Sequence, residues 1–305
     1  MKHPVTNVAA SVRQRLLNEA KRRNESFDYI ASLYARERFL ARLTISPHRD
    51  RLILKGATVF ALWVDVHRPT RDLDFLGRGN FEPDAATAII REIIAVATEN
   101  DGLRFNTDSV TAELIREPDE YQGVRMHLEA TLDTARIRLQ IDIGVGDIVT
   151  PPARSATLPS ILPEFTKPRV KIYPPETIVS EKLHALVKLG IANSRMKDFF
   201  DLYVLARGRD FEESLLTKAI ARTFARRKTA IPDEPFALTP EFYSDRGKQT
   251  QWRAFLTKSG VDAPKTFSEV GHVLRLFLAP VLRSARIGAK QKRKWQGDAW
   301  KALSE

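Results

Sequence analysis

The sequence predicts an α/β (α+β) N-terminal domain followed by a helical C-terminal domain. Three observations carry this. Strand-like alternation and helical periodicity interleave up to Val145. Periodicity is helical almost throughout from residue 176 to 285. Between the two lie residues 150–175, with seven prolines and little periodicity, which read as a linker or crossover. At roughly 100–200 residues per domain, the 305-residue chain divides into 1–170 and 171–305.

The elements follow in order. Residues 8–44 carry apolar side chains at helical spacing, first Leu16, Leu17 and Ala20, then Ile30, Leu33, Tyr34, Leu40 and Leu43. Asn24-Glu25-Ser26 breaks the run into two helices, and Ser46-Pro47-His48 ends it. Residues 51–54 form a short strand, Lys55-Gly56-Ala57 a tight turn, and Ala57 to Trp63 the next helix. Asp72 to Leu76 alternates as a strand does, and Ala85 to Ala97 is an amphipathic helix. Two strands follow, at 124–132 and 137–145, the second nearly strict in its alternation. Helices are expected at 176–189, 196–207, 212–226, 250–258 and 267–285.

Charge is uneven. The chain carries +11, yet residues 1–170 hold 24 basic and 23 acidic side chains, whereas 171–305 hold 25 and 15. The surplus peaks in Arg226-Arg227-Lys228 and in the Lys290–Lys294 run before Trp295. It reads either as a solvated surface with a frayed tail or as a phosphate-backbone footprint with an aromatic for stacking. The absence of cysteine excludes disulfides, thiolate metal sites and a thiol nucleophile, and fits a cytoplasmic protein. No apolar run approaches a membrane span, and the first residues lack the apolar core of a signal peptide.

The chemistry centres on Lys55-Gly56-Ala57-Thr58 and Arg71-Asp72-Leu73-Asp74. Strand residues two apart face the same side, so Asp72 and Asp74 project together. Either they form a polar strand face paired to Arg71 or Arg68, or they hold a hard cation such as Mg²⁺ beside substrate phosphates. Glycine at 56 lets backbone N–H groups approach a phosphate. Asp142 points opposite to Ile141 and Ile143 and is the leading third carboxylate, ahead of Asp147 and Asp133. Further on, Lys182 falls beside the apolar arc of its helix, where it either snorkels to water or enters a cleft with anionic oxygens. Asp198 is flanked by Leu202 and Leu205 and should face inward, with Lys182 as its partner. Asp201 reads as a surface partner of Lys197, Glu181 and Lys188 as solvated, and His184 as packing.

Taken together, Lys55-Gly56-Ala57 with Trp63, Thr70-Arg71-Asp72-Leu73-Asp74, Ile141-Asp142-Ile143, Ser180-Glu181-Lys182-Leu183 and Lys197-Asp198-Phe199-Phe200-Asp201-Leu202 resemble the AbiEii/AbiGii (MenT-like) nucleotidyltransferase toxins over roughly residues 8–206. The resemblance implies a polymerase-β-like nucleotidyltransferase core with a C-terminal helical domain, Mg²⁺, and a nucleoside triphosphate substrate. It implies Asp72, Asp74 and Asp142 as metal ligands, Lys182 and Asp198 in catalysis, and Lys55, Gly56, Thr58, Arg71 and Lys182 toward the nucleotide. It further implies transfer to the tRNA 3′ acceptor end, with block of aminoacylation, and a cognate antitoxin of the AbiEi kind. One departure stands out: Gly56 is followed by Ala57 rather than glycine or serine, and fourteen residues (58–71) separate Ala57 from Asp72, so Thr58 is the nearest hydroxyl. A protein or small-molecule nucleotidylyltransferase and a non-catalytic nucleic-acid-binding protein are the competing readings. His48-Arg49-Asp50 lacks the asparagine of a kinase loop, and Gly77-Arg78-Gly79 lacks the third glycine of a dinucleotide loop.

Overall fold

The computed structural model describes residues 7–64, 72–116, 122–289 and 291–303, and is a mixed α/β structure built on a central mixed sheet. The described chain divides into two units. The first takes residues 7–58, 72–146 and 154–172, and the second 59–64, 147–153 and 173–303.

In the first unit, α1 (Val8–Arg23) and α2 (Phe27–Ile45) are separated as the sequence indicates. Asn24 closes α1 in the left-handed region (φ 55°), and the Ser26 side chain caps α2 by accepting from the Tyr29 N–H. The chain continues through β1 (Leu52–Lys55), α3 (Gly56–Trp63, which runs from the first unit into the second), β2 (Asp72–Gly77), α4 (Pro83–Ala95), β3 (Leu103–Arg116), β4 (Gln122–Leu132), β5 (Ala135–Val145), β6 (Arg154–Thr157) and β7 (Arg169–Ile172). The sheet order is β3-β4-β5-β2-β1-β7-β6. Strand β5 pairs parallel with β2 and β1 parallel with β7, and the remaining neighbours are antiparallel. Leu73, Phe75, Ile137, Leu139, Ile141 and Ile143 point to one face and are buried.

Two expectations need correction here. Strand β3 is absent from the periodicity reading because a register shift between Asn106 and Thr111 resets its alternation. The proline-rich 150–175 stretch contains β6 and β7, and Val170 lies inside the latter. The strands are held by pairing of β7 with β1 and of β6 with β7, and the loop between them by charges buried on α2. Glu37 accepts from Ser160 Oγ at 2.6 Å and from the Ile161 N–H at 2.7 Å, and Arg38 donates to the Thr166 carbonyl at 2.9 Å. Such partners are invisible to a hydrophobic period.

The second unit comprises α5 (Pro175–Leu189), α6 (Met196–Gly208), β8 (Asp210–Glu212), α7 (Glu213–Arg226), α8 (Pro240–Ser244), α9 (Arg246–Ser259), α10 (Phe267–Ile287), β9 (Arg293–Gln296) and β10 (Trp300–Ala302). The last two strands join β8 in a small sheet of order β10-β9-β8. This corrects the reading of the tail. Trp295 is fully buried, donates its indole N–H to the Ala206 carbonyl and packs 5.0 Å from Phe277, so it offers no stacking surface. Arg293 forks onto the buried Glu213, and Lys294 pairs with Asp210 at 2.8 Å. Among the described residues no helix is long and apolar enough to cross a membrane.

Trp295→Ala is therefore expected to cost about 3–5 kcal/mol in urea unfolding. Lys292→Ala, at an exposed neighbouring position, should stay within about 0.5 kcal/mol.

Candidate active site

The site in the first unit follows from strand register. Lys55 stands opposite Asp74, Asp74 opposite Asp142, Asp142 opposite Arg125, and Arg125 opposite Glu113. Directly opposed residues share a face. Five adjacent strands thus carry one row: Glu113, Arg125, Asp142, Asp74, Lys55. Asp72, two residues before Asp74, lies on the same face opposite Gln140. The alternating partners Leu73, Phe75, Ile141 and Ile143 are at most 1% exposed, which commits the carboxylates to the other side of the sheet.

Asp72, Asp74 and Asp142 each offer a carboxylate oxygen within 4.8 Å of the others, and all three are half-buried. Like charges opposed on neighbouring strands are unfavourable. A donor set of three hard oxygens this close fits a divalent cation. Asp142 is also gripped from the side. Arg125 donates Nε to Oδ1 at 2.9 Å and Nη2 to Oδ2 at 2.8 Å, while Gln140 Nε2 lies 3.1 and 3.3 Å from the same two oxygens. Neither Arg125 nor Gln140 was indicated by sequence reasoning. Their role depends on which strands are neighbours, and alternation alone does not fix that.

At the other end of the row the strand β1 turns directly into α3, so the expected turn at Lys55-Gly56-Ala57 is the strand–helix junction itself. Gly56 has φ +70°, and a Cβ built there would overlap the Asp74 carboxylate. Glycine is thus required twice, for conformation and for the approach of Asp74. Thr58 stands half-buried in the first turn of α3, and the Lys55 ammonium lies within van der Waals reach of where a side chain at Gly144 would begin. Arg71 and Arg68 lie outside the described residues.

The second unit holds the other predicted pair. Lys182 on α5 meets Asp198, in the first turn of α6, at 2.7 Å, as the helical spacing indicates. It also meets Asp201 at 2.7 Å, and Arg195 Nε lies 2.7 Å from Asp198. Asp201 is therefore no surface partner of Lys197; it is buried beside Asp198, one turn further along α6. Burial pushes the Asp198 carboxyl up, but Lys182 and Arg195 outweigh it and hold the group below its usual range. Burial likewise pulls the Lys182 ammonium down, and the two aspartates more than reverse this, leaving it raised.

Other side chains resolve as structural. Asp147 is forked by Arg227, whose Nη2 lies 3.0 and 3.1 Å from its two oxygens. Arg227 also reaches His184 Nδ1 at 3.2 Å, and His184 packs edge-on against Phe224. Glu181, expected in solvent, is largely buried and lies 4.0 Å from Arg227. Asp133 sits at φ 53° between β4 and β5, a turn position.

Two expectations follow. Gly56→Ala should weaken Mn²⁺ binding, measured by calorimetry, by roughly tenfold or more (about 1.4 kcal/mol per tenfold), because Asp74 must move. The second concerns pH. A carboxyl depressed in the folded state stabilises fully above its unfolded value of 3.8, and that stability is lost as pH falls through the lowered value. The Lys182 contribution, raised from 10.5, is complete below that pH and is lost only in stronger alkali. Urea midpoints should thus fall more steeply below about pH 4 in the parent than in Asp198→Asn.

A family model described as nucleotidyl transferase AbiEii toxin, type IV toxin–antitoxin system, matches residues 38–274, a stretch that includes both clusters. No curated protein matches the sequence at a significant level. Two crystal structures from Helicobacter pylori are distant likenesses. One, assigned as a nucleotidyltransferase, has a TM-score of 0.44 at 13% identity, covering 94% of this chain and 100% of its own. The other, JHP933, has a TM-score of 0.42 at 14% identity, covering 93% and 94%. The family match extends over more than half of the chain, and the chain belongs to the AbiEii nucleotidyltransferase toxin family of type IV toxin–antitoxin systems.

Proposed function

We propose that the chain transfers a nucleotide from a nucleoside triphosphate to the 3′ acceptor end of tRNA and so blocks aminoacylation. The observation that carries the reading is the opposed pair Asp74 and Asp142 with Asp72 beside them. Mg²⁺, held by these three carboxylates, would neutralise triphosphate charge and acidify the attacking hydroxyl. In the transfer the acceptor 3′ oxygen bonds to the α-phosphorus while the bond to the bridging oxygen breaks and pyrophosphate leaves. Lys55 and the N–H groups at the Gly56–Thr58 start of α3 form a cationic margin beside the carboxylates, suited to phosphate oxygens. Arg71, immediately before Asp72, is assigned to the triphosphate on the family pattern, as is Lys182, with Asp198 orienting the Lys182 ammonium. Within the second unit, Asp198 and Asp201 occupy two of the three N–H donors of Lys182 and fix the ammonium in place.

A nucleic-acid acceptor is supported by the surplus charge of residues 171–305 and by its placement. Lys218, Arg222 and Arg226 recur every fourth residue on α7 and are exposed, an unbroken basic stripe on one helix face. Membership of a toxin–antitoxin family supports an AbiEi-like antitoxin as partner.

Incubation with total tRNA, Mg²⁺ and each labelled nucleoside triphosphate tests the reading. Label is expected on tRNA, and Asp72→Asn should remove it. Label on protein alone would favour protein nucleotidylylation. Replacing Lys218, Arg222 and Arg226 by alanine should lower the salt slope of tRNA binding by about two to three, roughly one phosphate per residue.

A further inference from the structure

The arrangement around Asp142 has a consequence for how the site is loaded. An ionised carboxylate offers about four lone-pair sites. Arg125 and Gln140 together place four donor contacts on the two oxygens of Asp142, at 2.8–3.3 Å. Two of these contacts are one Gln140 nitrogen shared between both oxygens, so a metal ion takes Asp142 only in competition with three nitrogen donors. The two donors are not equivalent. Gln140 sits on the same strand as Asp142, two residues before it. Arg125 reaches across from β4 on a long side chain whose exposure, 36%, is twice that of Asp142 at 17%. The guanidinium is already partly hydrated and regains the rest of its hydration when it swings out, which offsets part of the lost pairing, and its fork is a charge-assisted, bidentate grip in the metal-free state.

The geometry points to Arg125 as a displaceable counter-cation. It neutralises Asp142 while the site is empty and competes with a divalent ion for that carboxylate. Arg125 thus sets the metal affinity of the site, and it acts through Asp142 as a positioning residue. A metal ion bound to all three carboxylates competes with the fork for the lone pairs of Asp142. Glu113, opposite Arg125 on β3, marks where the released guanidinium can be received. The inference rests on the metal-dependent reading above, but makes a claim of opposite sign to a structural role. Removing a merely structural arginine would loosen the site, whereas removing a competitor tightens it.

The test is Mn²⁺ titration of the full chain without nucleotide, followed by the electron paramagnetic resonance signal of free Mn²⁺. Arg125→Gln is expected to bind Mn²⁺ roughly five- to tenfold tighter than the parent, in keeping with release from a partly exposed pair. Arg125→Lys, which keeps the charge and loses the fork, should fall between. In the Asp142→Asn background the Arg125→Gln gain should vanish, because the competition is for that carboxylate. Equal or weaker binding by Arg125→Gln, no Mn²⁺ binding by either protein, or a gain that persists with Asp142→Asn overturns the proposal. The tRNA labelling assay separates this failure from that of the functional reading. Labelling with unchanged Mn²⁺ affinity sinks only the role of Arg125, and tighter Mn²⁺ binding without labelling sinks only the proposed reaction.

Discussion

The site in the first unit depends on one unfavourable juxtaposition: Asp74 and Asp142 directly opposed on parallel strands. At about 5 Å and an effective dielectric of about 20, two like charges cost roughly 3 kcal/mol. The neighbourhood is organised around that cost. The two strands carry buried Leu73, Phe75, Ile141 and Ile143 on their other face, so a register slip that relieved the repulsion would turn the carboxylates into the core. The row is closed by a cation at each side, Lys55 on β1 and Arg125 on β4. Gly56 gives Asp74 room where any side chain would collide. Stability and function therefore pull in different directions on these residues, as expected where a strained charge cluster is kept for a ligand.

The second unit solves a different problem. Asp198 and Asp201 are almost fully buried on one helix, yet each is bonded to the same ammonium from the neighbouring helix. This cluster is internally compensated in the absence of any ligand. Arg195 adds a further charge-assisted contact to Asp198, and the N-terminal position of Asp198 on α6 aligns its charge with the helix dipole. Removing one partner from such a group typically costs 3–5 kcal/mol, because a buried charge is left alone. A fixed ammonium of this kind can meet an incoming anion without first being ordered.

What was legible in the sequence was whatever local pattern encodes. Alternation put Asp72, Asp74 and Asp142 on the solvent side of their strands, and helical spacing turned Asp198 inward toward Lys182. What was not legible required knowledge of neighbours. Arg125 reads as one more polar residue in an alternating strand until β4 is placed beside β5. Glu181 and Asp201 read as surface charges because their partners, Arg227 and Lys182, lie 46 and 19 residues away. Strand β3 escaped because a register shift resets its period, and β6 and β7 because each is only four residues long, too short for a period to stand out among the prolines. Arg71 lies outside the described residues, and its assignment stays with the family pattern.

The C-terminal charge is sharpened by the same reasoning. Ion pairs within residues 171–305 consume acids and bases one for one, so Arg293 with Glu213 and Lys294 with Asp210 leave the surplus untouched, while Arg227 spends one of the surplus charges on Asp147. They do decide where it resides. The two sequence runs that concentrate basic residues are partly spent on structure: Arg227 is bound to Asp147 and His184, and Arg293 and Lys294 lie in β9 and are paired to Glu213 and Asp210. The remaining basic side chains described in these runs are exposed, and on α7 Arg226, from the first run, continues a row with Lys218 and Arg222, one helical turn apart, roughly 6 Å along the axis. A regular, exposed row of this kind suits a repeating polyanion better than a single small anion, which would engage one or two of its members and leave the rest hydrated.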